Sequence, residues 1–515
     1  MSKRLVKSTA IVGIMALLSR LLGFVRDMVV ARLFGAGAEA DAFFVAFKIP
    51  NLLRRLFAEG SFSQAFVPVL TEYRTQRSHD EVKRLTDDVA GTFGAILLVI
   101  TVLGVVAAPV LIFLFAPGFV DEGEKFDLAS SMLRLTFPYI FFISLTAFAG
   151  SILNTYGRFG VPAFTPVLMN LSLIGCAIWL APQMDEPVMA LAWGVFLSGV
   201  VQLLFQFPFL RRLHLLPRPR WGSQDEGVRR VMRLMAPALF GSSVVQLNML
   251  INTVVASFLV TGSVSWLYYS DRLVEFPLGL LGVALATVIL PNLSEQHAAE
   301  SPQRFSHTLD WALRWVVVVG TPATVGLFML AGPLLTTLFQ YDAFTTHDAE
   351  MATASLKAYA FGLLGFILVK VLAPGFFARQ DVKTPVRIGV IAMAANLLLN
   401  LLLVWPLAHV GLALATSMAA FINAALLYRV LRREGIYTPE PGWSRLLLQV
   451  ALANGVMALL LWWGASDLAT WFAWGGGVRA RQLLVWVGAG AVVYLLVLLL
   501  LGVRFRTLWQ SRVDE

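Results

Sequence analysis

Apolar residues run along this chain in blocks of about 20, the length a helix needs to cross one hydrocarbon core, and short polar stretches separate them. Such blocks lie near residues 10–35, 40–62, 88–115, 133–155, 161–181, 188–210, 234–259, 265–292, 312–339, 354–377, 386–405, 410–430, 447–465 and 481–502. The pattern predicts an all-α polytopic membrane protein with about fourteen transmembrane helices. The longest polar connections, near 71–87 and 211–233, are too short for an independently folding soluble domain.

Composition agrees with that reading. With 58% hydrophobic and 14% charged residues among 515, too little polar surface remains to cover a soluble globule. The loops alternate in charge. Arg74, Arg77, Lys83 and Arg84 fall on one side, with Arg211, Arg212, Arg218, Arg220, Arg229 and Arg230, then Arg429, Arg432 and Arg433. The opposite loops hold Asp121, Glu122 and Glu124, then Asp185 and Glu186, then Asp342 and Asp348. The positive-inside rule puts the basic loops in the cytoplasm, and an even number of spans puts both termini there. Lys3, Arg4 and Lys7 precede the first apolar run, but Arg20 interrupts it and no small-x-small cleavage site follows, so it reads as a retained helix. The net charge of +9 is then mostly topology, and no nucleic acid is expected as a partner. Cys176, inside an apolar span, leaves no intrachain disulfide to form.

Charges inside the spans carry the candidate chemistry. Arg20 and Arg26 interrupt the first, Lys48, Arg54 and Arg55 the second, and Asp271, Arg272 and Glu275 the eighth. Each costs roughly 2.5 to 3.5 kcal/mol at a bilayer centre, which points to an anionic ligand or an ion path. Six residues place Arg20 and Arg26 about 120° apart on a straight helix, so one is free to snorkel to an interface unless Gly23 bends the helix. Pro50 frees backbone carbonyls in the second span, as in helices that line a cavity.

A faint internal repeat divides the chain. Arg158 precedes Thr165-Pro166-Val167 as Arg379 precedes Thr384-Pro385-Val386, and Pro50 and Pro68 are echoed by Pro277 and Pro291. Two six-helix lobes of like orientation follow, an N-terminal lobe at 1–220 and a C-terminal lobe at 221–436, with helices 13 and 14 appended at 437–515.

The runs SRLLGFVRD, DAFFVAFKIPNLLRRLFAEGSFSQAFVPV, GSVSWLYYSDRLVEFPLGLLGVALATVILP and KVLAPGFFARQDVKTPV resemble the MurJ (MviN) family of bacterial lipid II flippases in the MOP exporter superfamily, over essentially the whole chain. The resemblance implies two lobes forming a V around a central cavity, a groove for the polyprenyl tail in helices 13 and 14, and movement of lipid II from the inner to the outer leaflet of the cytoplasmic membrane. It implies substrate-binding roles for Arg20, Arg26, Asp27, Asp41, Arg54, Arg55 and Arg272, and an outward gate at Glu59.

Guanidinium groups suit a lipid diphosphate, because they form paired charge-assisted hydrogen bonds and never deprotonate. Asp27, Asp41, Asp271 and Glu275 are placed to hold the arginines when no substrate is bound, and exchange of partners is a trigger for rocking. No phosphate-binding Gly-rich loop, metalloprotease His pair or Cys-based metal spacing occurs, so neither enzymatic chemistry nor a cofactor is expected. Some members of the resembled family bind sodium in the second lobe; Asn252, Asn396, Asn400 and Thr416 lie at comparable places here. They include no carboxylate, which a hard cation wants, so no metal site is expected. The six histidines, among them His307 and His409, fall near loops or span ends and read as solvated or interfacial. A flippase for another polyprenyl-linked oligosaccharide and a drug/cation antiporter of the same superfamily are the alternative functions. Membrane lipids and peptidoglycan-synthesis enzymes are further candidate partners, the basic loops being the surface they would meet.

Overall fold

The computed structural model describes residues 3–55, 62–465 and 467–503, with side chains described from residue 11 onward except at 236–249 and 283. Everything described is helix, turn or irregular connection. Ten of the described helices are long and apolar enough to cross a membrane. Their lipid-facing character shows in α4 (His79–Val106), where Leu103 and Val106 are 62% and 74% exposed. Trp179, Trp405 and Trp463 stand exposed at the ends of their spans, where an amphipathic ring suits the membrane interface.

Three further spans expected from the sequence are helical: α1 (Lys3–Phe34), α2 (Ala38–Arg54) and α10 (Glu226–Ser257). The spans expected at 386–405 and 410–430 appear as one run, α18 (Lys383–Arg433), which breaks at Ala408 with φ of 48° and ψ of −129°. Of the second span the structure describes α2 and Arg55; residues 56–61 lie outside the described residues, and α3 (Ser63–Gln76) follows them. α1 is helical throughout its described length, with no break at Gly23.

Contacts divide the chain into two compact units, the first ending at Ser265 and the second beginning at Trp266. In the first, α1 packs on α8 (Gly160–Gly175), which with α7 (Tyr139–Thr155) packs on α9 (Met189–Arg212), while α2 lies on α6 (Gly123–Thr136) and α10 on α3. The stacked rings of Phe62 and Phe93, 4.5 Å apart, and the edge of Phe148 fill its core. Local chemistry sets the helix starts. Ser78 and Glu81 form a capping box at α4, and Asp225 accepts from the Val228 amide at α10. The 215–222 strap lies against α4 through Arg220 N–H to Asp87 O at 3.1 Å. A Cβ at Gly91 would come within 2.1 Å of the Arg220 carbonyl, so only glycine permits that approach.

In the second unit α16 (Thr346–Leu372) packs on α18 and on α14 (Thr321–Met329), and α14 also receives α19 (Trp443–Ala465), which pairs with α21 (Gly476–Leu500). Pro322 has no amide to give the carbonyl four residues earlier. That acceptor, Val318 O, takes the Tyr494 hydroxyl of α21 at 2.6 Å. The connection into α19 is anchored on Asp310, fully buried, which accepts from the Tyr437 hydroxyl, the Trp443 indole and the Glu440 amide at 2.7 to 3.2 Å. Burial and the hydrogen bond to Asp310 push the Tyr437 hydroxyl pKa up.

One histidine departs from the sequence reading, and one buried arginine lies outside it. His409 is not solvated but 5% exposed; its Nε2 meets Met351 O at 3.2 Å and its ring lies 4.9 Å from that of Trp266. The break at Ala408 turns it inward, a feature that residue type alone does not reveal. Arg479 lies buried at the start of α21, donating to the carbonyls of Trp471, Phe472, Thr336 and Gln340. Carbonyls at helix ends satisfy this guanidinium without any anion.

Candidate functional site

The first unit brings Arg26 and Asp27 together on α1. Arg26 is 5% exposed and Asp27 2%. Nε and Nη2 of Arg26 donate to Asp27 Oδ1 at 3.0 and 2.7 Å, and Nη1 donates to Asn170 Oδ1 of α8 at 3.1 Å. Asn170 in turn donates to Ser19 O at 3.0 Å. Gly23 sits over this amide with room for a Cβ at ordinary contact, 3.7 Å. One guanidinium is therefore oriented by a carboxylate on its own helix and an amide on its neighbour. Arg20 is exposed on the same helix, the divergence that a six-residue spacing dictates.

On α2, Arg54 Nε donates to Asn51 Oδ1 at 2.9 Å, one turn back. Both Arg54 and Arg55 are half-buried at the end of that helix. Glu59 lies outside the described residues. Arg54 thus has a neutral partner on its own helix, and Asp41 is occupied elsewhere.

Asp41 is 1% exposed near the start of α2. Its carboxylate accepts from the amides of Gly262 and Ser265 and the hydroxyl of Ser265, at 2.8, 2.9 and 2.6 Å, and pairs with Lys125 at 3.4 Å. It caps the amino end of α11 (Ser263–Pro277), and holds a lysine where the sequence suggested an arginine. Lys125, 4% exposed in α6, also pairs with Glu122 at 3.6 Å and lies 4.3 Å from the centre of the Phe119 ring. Sequence reasoning missed it because Lys125 stands in an acidic loop segment that reads as solvated.

In the second unit, Arg272 Nη1 meets Glu275 Oε2 at 2.6 Å, one turn along α11, and its guanidinium lies 5.4 Å from the Tyr268 ring. Both partners are partly exposed, so the pair can open at little cost. Asn396 and Asn400, fully buried one turn apart, share a face of α18, and Thr416 donates to its own helix at Leu412 O, 2.9 Å. No group of three or more His, Cys, Asp or Glu side chains is arranged to hold a metal among the described residues.

These positions can be set beside known proteins. A family model described as lipid II flippase MurJ matches residues 30–475. The chain is 52% identical over 516 residues to the probable lipid II flippase MurJ of Vibrio cholerae serotype O1, covering 98% of each chain. It is 45% identical to the lipid II flippase MurJ of Burkholderia cenocepacia, over 91% of this chain and 90% of that one. A solved lipid II flippase MurJ in an inward closed conformation matches with a TM-score of 0.79 at 27% identity, covering 94% of this chain and 97% of the other. An inward-facing MATE family multidrug resistance transporter of the MOP superfamily shares the fold at a TM-score of 0.68 and 16% identity, over 81% and 95% of the two chains.

Proposed function

This chain belongs to the lipid II flippase MurJ family, and we propose that its intramembrane arginines bind the anionic headgroup of the lipid II it moves across the bacterial cytoplasmic membrane. It is a transporter and not an enzyme. The 52% identity over nearly the full chain carries the transport function. The buried, doubly held guanidinium of Arg26 supports the site reading.

Arg20, Arg26, Arg54, Arg55 and Arg272 supply the cationic contacts, with Asp27 and Glu275 holding Arg26 and Arg272 between transport cycles. Substrate phosphate displaces those carboxylates, and the exchange biases alternation between inward and outward states. Asp41 acts by fixing the amino end of α11, and Glu59 serves as the outward gate. The chain divides functionally at residues 220 and 436, with the last two helices receiving the polyprenyl tail. Both termini lie in the cytoplasm, where the basic loops meet anionic lipid and synthesis enzymes. With the cytoplasm negative, each net negative charge moved outward gains about 2.3 kcal/mol per 100 mV, so the membrane potential suffices to drive an anionic lipid.

The test is leaflet-resolved lipid II translocation in cells depleted of their native flippase and complemented with wild type, Arg26→Ala or Arg272→Ala at matched expression. Wild type should restore outward lipid II and both variants should fail. Variants that transport normally would make the arginines structural.

A further inference from the structure

We propose that the first unit carries a second anion site, for the phosphate of an anionic phospholipid of the cytoplasmic leaflet, between Arg158 and Arg212. A cavity of about 290 Å³ lies there, walled by Ile11, Phe159, Phe209 and Leu213, with both arginines among its lining. Arg158 and Arg212 are exposed. Among the described residues neither has a carboxylate partner; the Arg212 guanidinium lies only over the Phe209 ring, 5.8 Å from its centre.

The internal repeat identifies the anomaly. The segment 431–437, LRREGIY, corresponds to 210–216, LRRLHLL. Both end their helices in one way, with Ile436 N–H on Leu431 O and Leu215 N–H on Leu210 O, each at 3.0 Å, and with positive φ at Gly435 and His214. In the second unit the arginine of the neighbouring hairpin, Arg379, is neutralised by Glu434 at 3.1 Å, the residue after the double arginine. In the first unit the residue after the double arginine is Leu213, and the hairpin arginine, Arg158, lines an open cavity with it. The second unit closes this corner with its own carboxylate; the first leaves two guanidinium groups over an apolar wall.

That combination fits a phosphodiester with an acyl chain beneath it, because arginine binds phosphate oxygens in pairs and the wall of Ile11, Phe159 and Phe209 suits hydrocarbon. A free phosphate would use the arginines and leave the wall bare. The assignment to the cytoplasmic leaflet rests on the orientation proposed above. Binding to this corner, unlike lipid II transport, does not involve Arg26 or Arg272.

The experiment uses delipidated full-length protein in maltoside micelles, titrated with dioleoyl phosphatidylglycerol and read by intact-complex mass spectrometry. Wild type should hold one phosphatidylglycerol that Leu213→Glu, which supplies the carboxylate of the second unit, weakens about tenfold, as should Arg158→Gln. Leu213→Gln should retain it, which separates charge from misfolding. Equal binding by wild type and Leu213→Glu would overturn the proposal. So would phosphatidylcholine binding as tightly as phosphatidylglycerol, or displacement of the lipid by low millimolar inorganic phosphate. The readout is phospholipid binding, so it stands or falls separately from lipid II transport.

Discussion

The guanidinium of Arg26 closes on the carboxylate of the next residue, Asp27, with two donors on one oxygen at 2.7 and 3.0 Å. Adjacent helical residues point about 100° apart, so the pair forms only because the long arginine side chain curls back along α1. The ion pair therefore travels with its helix, while the third contact, to Asn170, ties it to α8. A ligand that takes the place of Asp27 leaves the Asn170 contact intact.

Asp27→Asn keeps an acceptor beside Arg26 but removes the charge. If the two exchange with substrate, the variant should translocate lipid II at least tenfold more slowly, with headgroup affinity raised because the competitor is weakened. Leaflet-resolved transport and direct lipid II binding by the purified variant check both halves. Unchanged binding with unchanged transport would dismiss partner exchange.

Asp41 and Lys125 make a buried pair in which each needs the other. Lys125→Met alone should destabilise the protein by about 3 to 5 kcal/mol, because it leaves a carboxylate buried without its cation. The double variant Asp41→Asn with Lys125→Met should recover part of that loss, since no charge is left buried and the carboxamide oxygen can still accept from Ser265, although its NH2 then faces the Gly262 amide. Thermal unfolding in one detergent, compared across the single and double variants, measures the coupling.

The span pattern was legible because lipid solvation writes itself on the chain as runs of apolar residues. α4 and α21 needed nothing beyond length and hydropathy. Arg26 and Arg272 were legible as charges that apolar spans cannot hold without a partner, and their partners Asp27 and Glu275 lie close in sequence. What could not be read lies in partners distant along the chain. Asn170 reaches Arg26 across 144 residues, and Lys125 reaches Asp41 only through the packing of α6 on α2. Arg479 shows the limit of reasoning from charge alone. It lies just before the last expected span and is as buried as Arg26, yet four carbonyls at two helix ends consume its donors.

Asp381 gives the connection before α18 a pH dependence. Its side chain accepts from the Thr384 amide at 3.0 Å, and the bonds from Thr384 hold its carboxyl pKa below the usual range. A depressed folded-state pKa adds stability that is complete above the unfolded value, about 3.9, and is lost as pH falls through the folded one. Asp381 is half-buried in a polar connection, where solvent screening keeps the effect to about a few tenths of a kcal/mol. Wild type should lose stability more steeply than Asp381→Asn only below about pH 4, measured as unfolding midpoints across an acid series.

Tyr494 and Pro322 make a compensating pair that a double variant can separate from ordinary packing. Proline at 322 denies Val318 O the amide of a regular α-turn, and the Tyr494 hydroxyl supplies a donor from α21. Tyr494→Phe should cost about 1 to 3 kcal/mol, the penalty of a buried acceptor left unsatisfied. In a Pro322→Ala background the restored amide can meet Val318 O within the helix, so removing the hydroxyl should cost little there. If Tyr494→Phe is equally damaging in both backgrounds, the tyrosine acts through packing against α14 and not as the donor that replaces the missing amide. Equilibrium unfolding of the four proteins in one detergent distinguishes the two.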